Sequence, residues 1–304
     1  MNKLAIFIRF CRPHTIIATT FQVSGLFILA GGVRSSEDDS FAVLIFALIA
    51  SLSANIYIVG LNQLTDIEID RVNKPSLPLA AGDLSVRQGW WIVGLAGLLA
   101  VSLAASQSSI LLLTIFLAML IGSIYSLPPL HLKTRPVWAA FSVAFVRGFV
   151  SNVGLFLHFH RELQPASDIP WLLVAGLAVF FFGFGLVIAL YKDIPDLTGD
   201  RKYGIRTFTV RLGPERVFSM GRLILTAFYL VPIIAAITLL PGLDGVVLLV
   251  AHLVIVGLFW SRSRSVDVTD PAAVTRFYMF LWSLFYVEYI LLALASITGM
   301  GSTS

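Results

Sequence analysis

Nine apolar runs dominate the chain, at about 14–32, 41–62, 90–106, 109–127, 137–157, 170–191, 217–240, 244–260 and 277–298. Each is long enough to be read as a membrane-crossing helix, and tilt or snorkelling absorbs the shortfall in the shorter ones. The polar stretches between them differ in character. Those at 63–88 and 192–214 are the longest on one side and are rich in charge, Pro and Gly, as lid loops are. The pattern predicts an all-α fold, a polytopic membrane bundle of about nine transmembrane helices. The bundle forms one domain over residues 1–304, with Gly299 to Ser304 a disordered tail.

Composition agrees. Of 304 residues, 58% are hydrophobic and 12% are charged, about half the usual charged fraction of a soluble domain. The net charge of +4 is spread through loops and gives no nucleic-acid footprint, so no nucleic-acid partner is expected. Cys11 is the one cysteine, which excludes an intrachain disulfide and a cysteine metal site and leaves it a packing role. Lys3, Arg9 and Arg12 ahead of the first run resemble the start of a signal peptide. No small-residue cleavage site follows, and the run reads as an uncleaved first span.

The 21 Lys and Arg set the orientation. With the N-terminus on side one, the far side holds only Arg34 and Arg161, and Arg147 falls inside the fifth run. Side one is therefore expected to be cytoplasmic, in a bacterial inner or thylakoid membrane. His158 and His160 fall on the far side and are expected to be solvated, and Trp90, Trp91 and Trp171 read as interfacial belt residues.

Against this apolar background two carboxylate clusters stand out, Asn62 to Asp70 after the second run and Asp193 to Asp200 after the sixth. A carboxylate at membrane depth costs roughly 2.5–3.5 kcal/mol on insertion scales, so a chain that places two clusters there uses them. Both fall on side one, four spans apart, a weak internal symmetry. Asn62, Asp66 and Asp70 are spaced i, i+4, i+8 and share one face of a continuing helix, while Glu68 points elsewhere. Asp193, Asp196 and Asp200 have similar spacing, but Pro195 disfavours helix at Ile194; in the first turn of a new short helix it would leave Asp196 and Asp200 in register.

Carboxylate oxygens suit a hard cation such as Mg²⁺, which often bridges to a diphosphate. Asp66, Asp70, Asp196 and Asp200 are the leading metal-ligand candidates, with Asn62 and Asp193 as further ligands or supporting groups. Arg71, Lys74, Lys133, Arg135 and Lys192 are candidates for hydrogen bonds to the diphosphate oxygens, against ordinary positive-inside placement. Tyr125, at the end of the fourth run, is placed to cover a cation or a ring. Arg147 lies inside a span and must face the bundle interior; it binds an acceptor carboxylate or the diphosphate, or else pairs with Glu288. Asn152 is a further candidate pocket donor, and for His14 a pocket role competes with interfacial placement.

The motifs resemble those of UbiA-type intramembrane prenyltransferases. Asn62 to Asp70 is similar to their first aspartate motif, Asp193 to Asp200 to the second, and Tyr125 to Lys133 to a third loop signature. The segments Phe10 to Ile17, Asn55 to Leu64, Asn73 to Ala80 and Val146 to Leu157 resemble the homogentisate prenyltransferase branch. The resemblance implies Mg²⁺-dependent transfer of a prenyl group, phytyl or geranylgeranyl, from its diphosphate to homogentisate with loss of the acceptor carboxyl group, toward a tocopherol. The partners it implies are these two substrates and membrane lipid. Prenyltransferases of the superfamily that use other acceptors, chlorophyllide included, share the aspartate motifs. A transporter built from repeats is the reading from another class, but the polar residues cluster at one face rather than at the midplane.

Overall fold

The computed structural model describes residues 2–33, 40–238 and 243–301. Arg34, assigned above to the far side, lies outside the described residues, as do residues 302–304 of the expected disordered tail; the last helix continues to Gly301. Among the described residues the chain is helical, with no strand.

A short helix, α1 (Lys3–Phe10), precedes the first span, α2 (Pro13–Leu29). The span α3 (Ser40–Thr65) is followed by two short surface helices, α4 (Ile67–Asn73) and α5 (Pro78–Ala81). Then come α6 (Val86–Gln107) and α7 (Ser109–Ser126). The fifth span runs from Pro136 to Leu163 as α8 (Pro136–Phe145), a π-turn at Val146–Val150 and α9 (Ser151–Leu163). The span α10 (Trp171–Lys192) leads to α11 (Leu197–Lys202) and α12 (Phe208–Leu212), and the last three spans are α13 (Pro214–Ile237), α14 (Gly245–Arg264) and α15 (Pro271–Gly301). Eight of these spans are long and apolar enough to cross a membrane, and α2 is the shorter ninth, so the chain is a multi-pass integral membrane protein.

The helix ends follow local chemistry. The helix α6 starts four residues before its apolar run because Ser85 and Gln88 form a capping box, with Ser85 Oγ accepting from the Gln88 N–H at 3.3 Å and Gln88 Oε1 accepting from the Ser85 N–H at 2.9 Å. Proline opens α2, α8 and α13, where its missing N–H has no partner to lose. At 26 residues α3 rises about 39 Å, more than a hydrocarbon core of about 30 Å, so its last turn emerges at headgroup level.

With no hydrophobic drive between helices in lipid, close packing holds the bundle together. The most buried span is α10, where Phe181 stacks on Tyr289 with ring centroids 4.3 Å apart. A Cβ on Gly148 would stand 2.5 Å from the Phe182 backbone, so glycine here lets the π-turn lie directly on α10. The π-turn also frees the Arg147 carbonyl, which accepts from Asn152 Nδ2 at 2.5 Å, while Asn152 Oδ1 accepts from Tyr289 Oη at 2.8 Å. Asn152 is thus not the pocket donor considered above, because both ends of its amide hold the bend.

Two other sequence expectations change here. Glu288 does not pair with Arg147: its carboxylate accepts from Tyr229 Oη at 2.8 Å and lies 2.9 Å from His252 Nε2, all three buried. His158 and His160 are buried rather than solvated, and His158 Nδ1 meets Ser108 Oγ at 2.8 Å, because the fifth span runs on past both residues.

Candidate functional site

Both aspartate motifs share one local design. Neither is a continuous helix: α3 stops at Thr65, Asp66 stands between helices, and α4 begins at Ile67. Likewise α10 stops at Lys192 and Asp196 precedes α11, with Pro195 in the intervening turn rather than in a first helical turn. Asp66 (φ −115°, ψ 13°) and Asp196 (φ −82°, ψ −1°) both lie near the bridge region, where chains turn and where many site residues sit. One turn later the Asp70 N–H bonds to the Asp66 carbonyl at 2.7 Å, and the Asp200 N–H to the Asp196 carbonyl at 3.0 Å. Each arm thus presents one aspartate at a break and a second, buried one on a short helix.

The two arms face each other across a cavity of about 390 Å³. Asn62, Asp66, Asp70, Asp193, Asp196 and Asp200 all line it, with Lys74, Lys133, Lys192 and Tyr125. The lysines lie between the carboxylates. Lys74 pairs with Asp196 of the opposite arm, and the buried Lys133 pairs with Asp66 and donates to Thr65 Oγ1 at 3.0 Å. Lys192 donates to Tyr125 Oη at 2.7 Å and lies 3.4 Å from Asp193 Oδ1. Asn62 Nδ2 donates to Asp66 Oδ2 at 2.8 Å.

Burial pushes the Asp70 carboxyl up to about 6, with Lys74 and Arg12 pulling the other way. Burial also pushes Asp200 up to about 7, reinforced by the Asp193 and Asp196 carboxylates of its own arm. Asp193 is raised by the same cause, against Lys192. The five carboxylates around the cavity carry a repulsion that three lysines only partly offset.

As they lie, no three acidic, imidazole or thiol groups among the described residues are close enough to share one ion. The donor set nevertheless fits a hard cation. It is all oxygen, and Asp70 Oδ2 is buried without a hydrogen-bond partner.

Arg71 and Arg135 do not line the cavity. Both are exposed, and Arg71 turns outward to Glu68 at 2.6 Å. Among the lining residues that escaped the sequence reading, Arg12 and Asn73 carry the most chemistry. Arg12 reaches the wall from a left-handed turn (φ 52°) between α1 and α2, a conformation with no signal in the sequence. Asn73 joins the arms: its Oδ1 accepts from the Gly199 N–H at 2.8 Å and its Nδ2 donates to Asp200 Oδ1 at 3.4 Å. Its place one turn beyond Asp70 was the available signal. Asn73→Ala strands a buried N–H and is expected to cost about 1–3 kcal/mol of stability, read by thermal unfolding in nanodiscs.

Below the arms a narrower chamber of about 220 Å³ continues into the bundle and shares Arg12, His14, Asn62, Tyr125, Lys192 and Tyr278 with the upper cavity. Arg147 lines it, with its guanidinium 4.6 Å from the Trp282 ring centroid and 5.6 Å from that of Phe285. Among the described residues no carboxylate pairs with it. His14 also lines both spaces and packs edge-on to Trp282 at 5.2 Å, which places it in the pocket rather than at the lipid face.

The chain's similarities to known proteins are consistent with this geometry. The model of the UbiA prenyltransferase family matches residues 19–284. Homogentisate phytyltransferase of Synechocystis sp. is 42% identical over 299 residues, covering 97% of this chain and 96% of that one. Homogentisate geranylgeranyltransferase of Triticum aestivum is 39% identical, covering 96% of this chain and 72% of that one. The structure of a UbiA homolog from Archaeoglobus fulgidus bound to GPP and Mg²⁺ has the same fold, with a TM-score of 0.67 at 18% identity over 95% of this chain and 99% of that one.

Proposed function

This chain belongs to the UbiA prenyltransferase family, and from that premise we propose that it transfers a phytyl group, or its geranylgeranyl counterpart, from the diphosphate to homogentisate. The observation that carries this reading is the continuity of two spaces. A cavity walled by two aspartate arms and three lysines opens onto a chamber that holds a half-buried guanidinium with no carboxylate partner among the described residues.

The donor diphosphate sits in the upper cavity. Asp66, Asp70, Asp196 and Asp200 would hold Mg²⁺, with Asn62 and Asp193 beside them, and the bound metal would neutralise charge on the leaving diphosphate. Lys74, Lys133 and Lys192, which now satisfy the carboxylates, move their hydrogen bonds to phosphate oxygens, and Arg12, which also lines the cavity, adds a fourth cationic side chain. As the allylic C–O bond breaks, its electron pair leaves with the diphosphate. The helices exclude water from the carbocation, and the Tyr125 ring, which lines both spaces, faces it. Arg147 takes the acceptor carboxylate and so fixes the ring below the reacting carbon. The ring carbon forms the new C–C bond and loses its proton. The bond to the carboxyl carbon breaks with release of CO₂, and its electron pair stays on the side-chain carbon. That carbon takes up one proton to become a methyl group, so the proton lost from the ring is balanced.

The site faces the cytoplasm, on the side that holds most of the Lys and Arg. In vitro, protein in nanodiscs with Mg²⁺, phytyl diphosphate and carboxyl-labelled homogentisate is expected to release diphosphate and labelled CO₂ in equal amounts. Diphosphate release without CO₂, or turnover only with another acceptor, would overturn the choice of ring.

The raised carboxyls also set a pH dependence. Metal must displace the protons that Asp70 and Asp200 hold below about pH 6 and 7. The Mg²⁺ concentration giving half-maximal rate is therefore expected to fall as pH rises from about 5.5 to 8 and then level off. In the metal-free protein the sign reverses for stability. Folded-state values above the usual 3.8 favour the fold at low pH, and that contribution is lost as pH climbs through 6 and 7.

A further inference from the structure

Helix α1 carries an apolar face that none of the described residues covers. Leu4, Phe7 and Ile8, spaced i, i+3, i+4, share one side and are 61%, 41% and 48% exposed. The other side is tied to the bundle. Phe10 is fully buried against Leu61, Leu79 and Val93, and its carbonyl accepts from Gln63 Nε2 at 2.7 Å. The left-handed turn at Arg12 breaks the helix before α2, so α1 does not extend that span.

These contacts fix its height. Leu61 and Gln63 lie at the end of α3 just before the first aspartate arm, and Val93 lies two turns into α6 beside the exposed Trp90 and Trp91. Exposed Trp at a span end marks the headgroup region. The Phe10–Val93 packing thus sets α1 at the level of Trp90 and Trp91, and the exposed Lys3 supplies a cation that suits phospholipid phosphates at that level.

The same helix reaches the site. Arg9 Nη1 pairs with Asp83 Oδ2 at 3.1 Å, and its Nη2 donates to the Ser76 carbonyl. Ser76 and Leu77 line the upper cavity, on the loop that follows Lys74. We infer that α1 is an in-plane helix seated in the headgroup–acyl boundary of the leaflet at the site end, and that through Arg9 this seat holds the loop at 74–85 over the cavity mouth. Lipid is the occupant of the Leu4, Phe7 and Ile8 face. Bilayer contact thereby positions the wall of a site whose substrate arrives from the same bilayer, the one clause here that rests on the proposed function.

The seat is tested with Ile8→Cys labelled with bimane in nanodiscs; Cys11 is buried, and the unsubstituted chain serves as the labelling control. Brominated phospholipid is expected to quench the probe about twofold, and aqueous iodide to leave it bright. Quenching by iodide instead, or energy transfer between labelled copies, would overturn the lipid seat in favour of water or of a second chain. The coupling is read by amide exchange in the triple variant L4Q/F7Q/I8Q. Exchange at 74–85 is expected to quicken about tenfold while α10 stays protected. Unchanged exchange at 74–85 would overturn it. If α10 also loosens, Arg9→Gln replaces the triple variant, with the same two outcomes. Neither readout needs turnover, so failure here is distinguishable from failure of the proposed reaction.

Discussion

Asp70→Asn is expected to lower prenyl transfer by about 10²–10³-fold while leaving the metal-free protein as stable as before, or more stable. Most substitutions of a buried polar group weaken a fold, and this one differs for a physical reason. Asp70 is buried, one of its oxygens has no partner, and its carboxyl is raised to about 6. At neutral pH the folded chain therefore carries a charge it has not fully compensated. Asparagine keeps the shape and removes that charge, and with it a hard ligand. Steady-state diphosphate release and thermal unfolding without Mg²⁺, measured together, separate the two effects. A loss of activity that tracked a loss of stability would assign Asp70 a structural role. Glu68→Gln is the control: Glu68 is exposed, pairs only with Arg71, and is expected to leave the rate unchanged, because such surface pairs contribute little.

Arg147→Met is expected to raise the acceptor KM by about 10–150-fold, the equivalent of a charged hydrogen bond of roughly 1.5–3 kcal/mol, with the donor KM unchanged. The guanidinium already lies over Trp282 and Phe285, and Glu288 is committed to His252 and Tyr229, so none of the described residues offers it an anion. Lysine is not expected to restore binding, because it lacks the planar fork that grips a carboxylate through two parallel bonds. A hydroquinone without the acetate arm is the informative competitor. The native protein should disfavour it, and the Met variant should accept it and homogentisate about equally. A rise in the donor KM instead would place Arg147 at the diphosphate.

Much of this was legible in the chain. Apolar runs of near-bilayer length gave the nine spans, since in lipid only a helix satisfies its backbone locally. The aspartates, Lys74, Lys133, Lys192, Tyr125 and Arg147 all reach the cavity or the chamber beneath it. What sequence spacing missed was backbone bending. A continuous helix through Asn62, Asp66 and Asp70 was the natural reading of i, i+4, i+8, and the break at Asp66 has no proline or glycine to announce it. In the second arm Pro195 did announce one, and the first arm proved to share its design. Bends also explain the residues misplaced. Arg71 turns outward because α4 starts a new axis, and Asn152 is consumed by a π-turn that apolar periodicity cannot reveal. Arg12 and Asn73 enter the site through a left-handed turn and a contact between arms more than a hundred residues apart in sequence.

The central claim is that the two arms form one binding site rather than two separate ones. Mn²⁺ binding followed by electron paramagnetic resonance, in the presence of a non-reactive thiolo analogue of the prenyl diphosphate, tests it most directly. The native protein is expected to bind the ion with its signal broadened, and Asp70→Asn and Asp200→Asn are each expected to weaken that binding by at least about tenfold, the double variant being little worse than either alone. Native-like binding in one single variant, or strictly additive losses in the double, would contradict a site shared across the two arms.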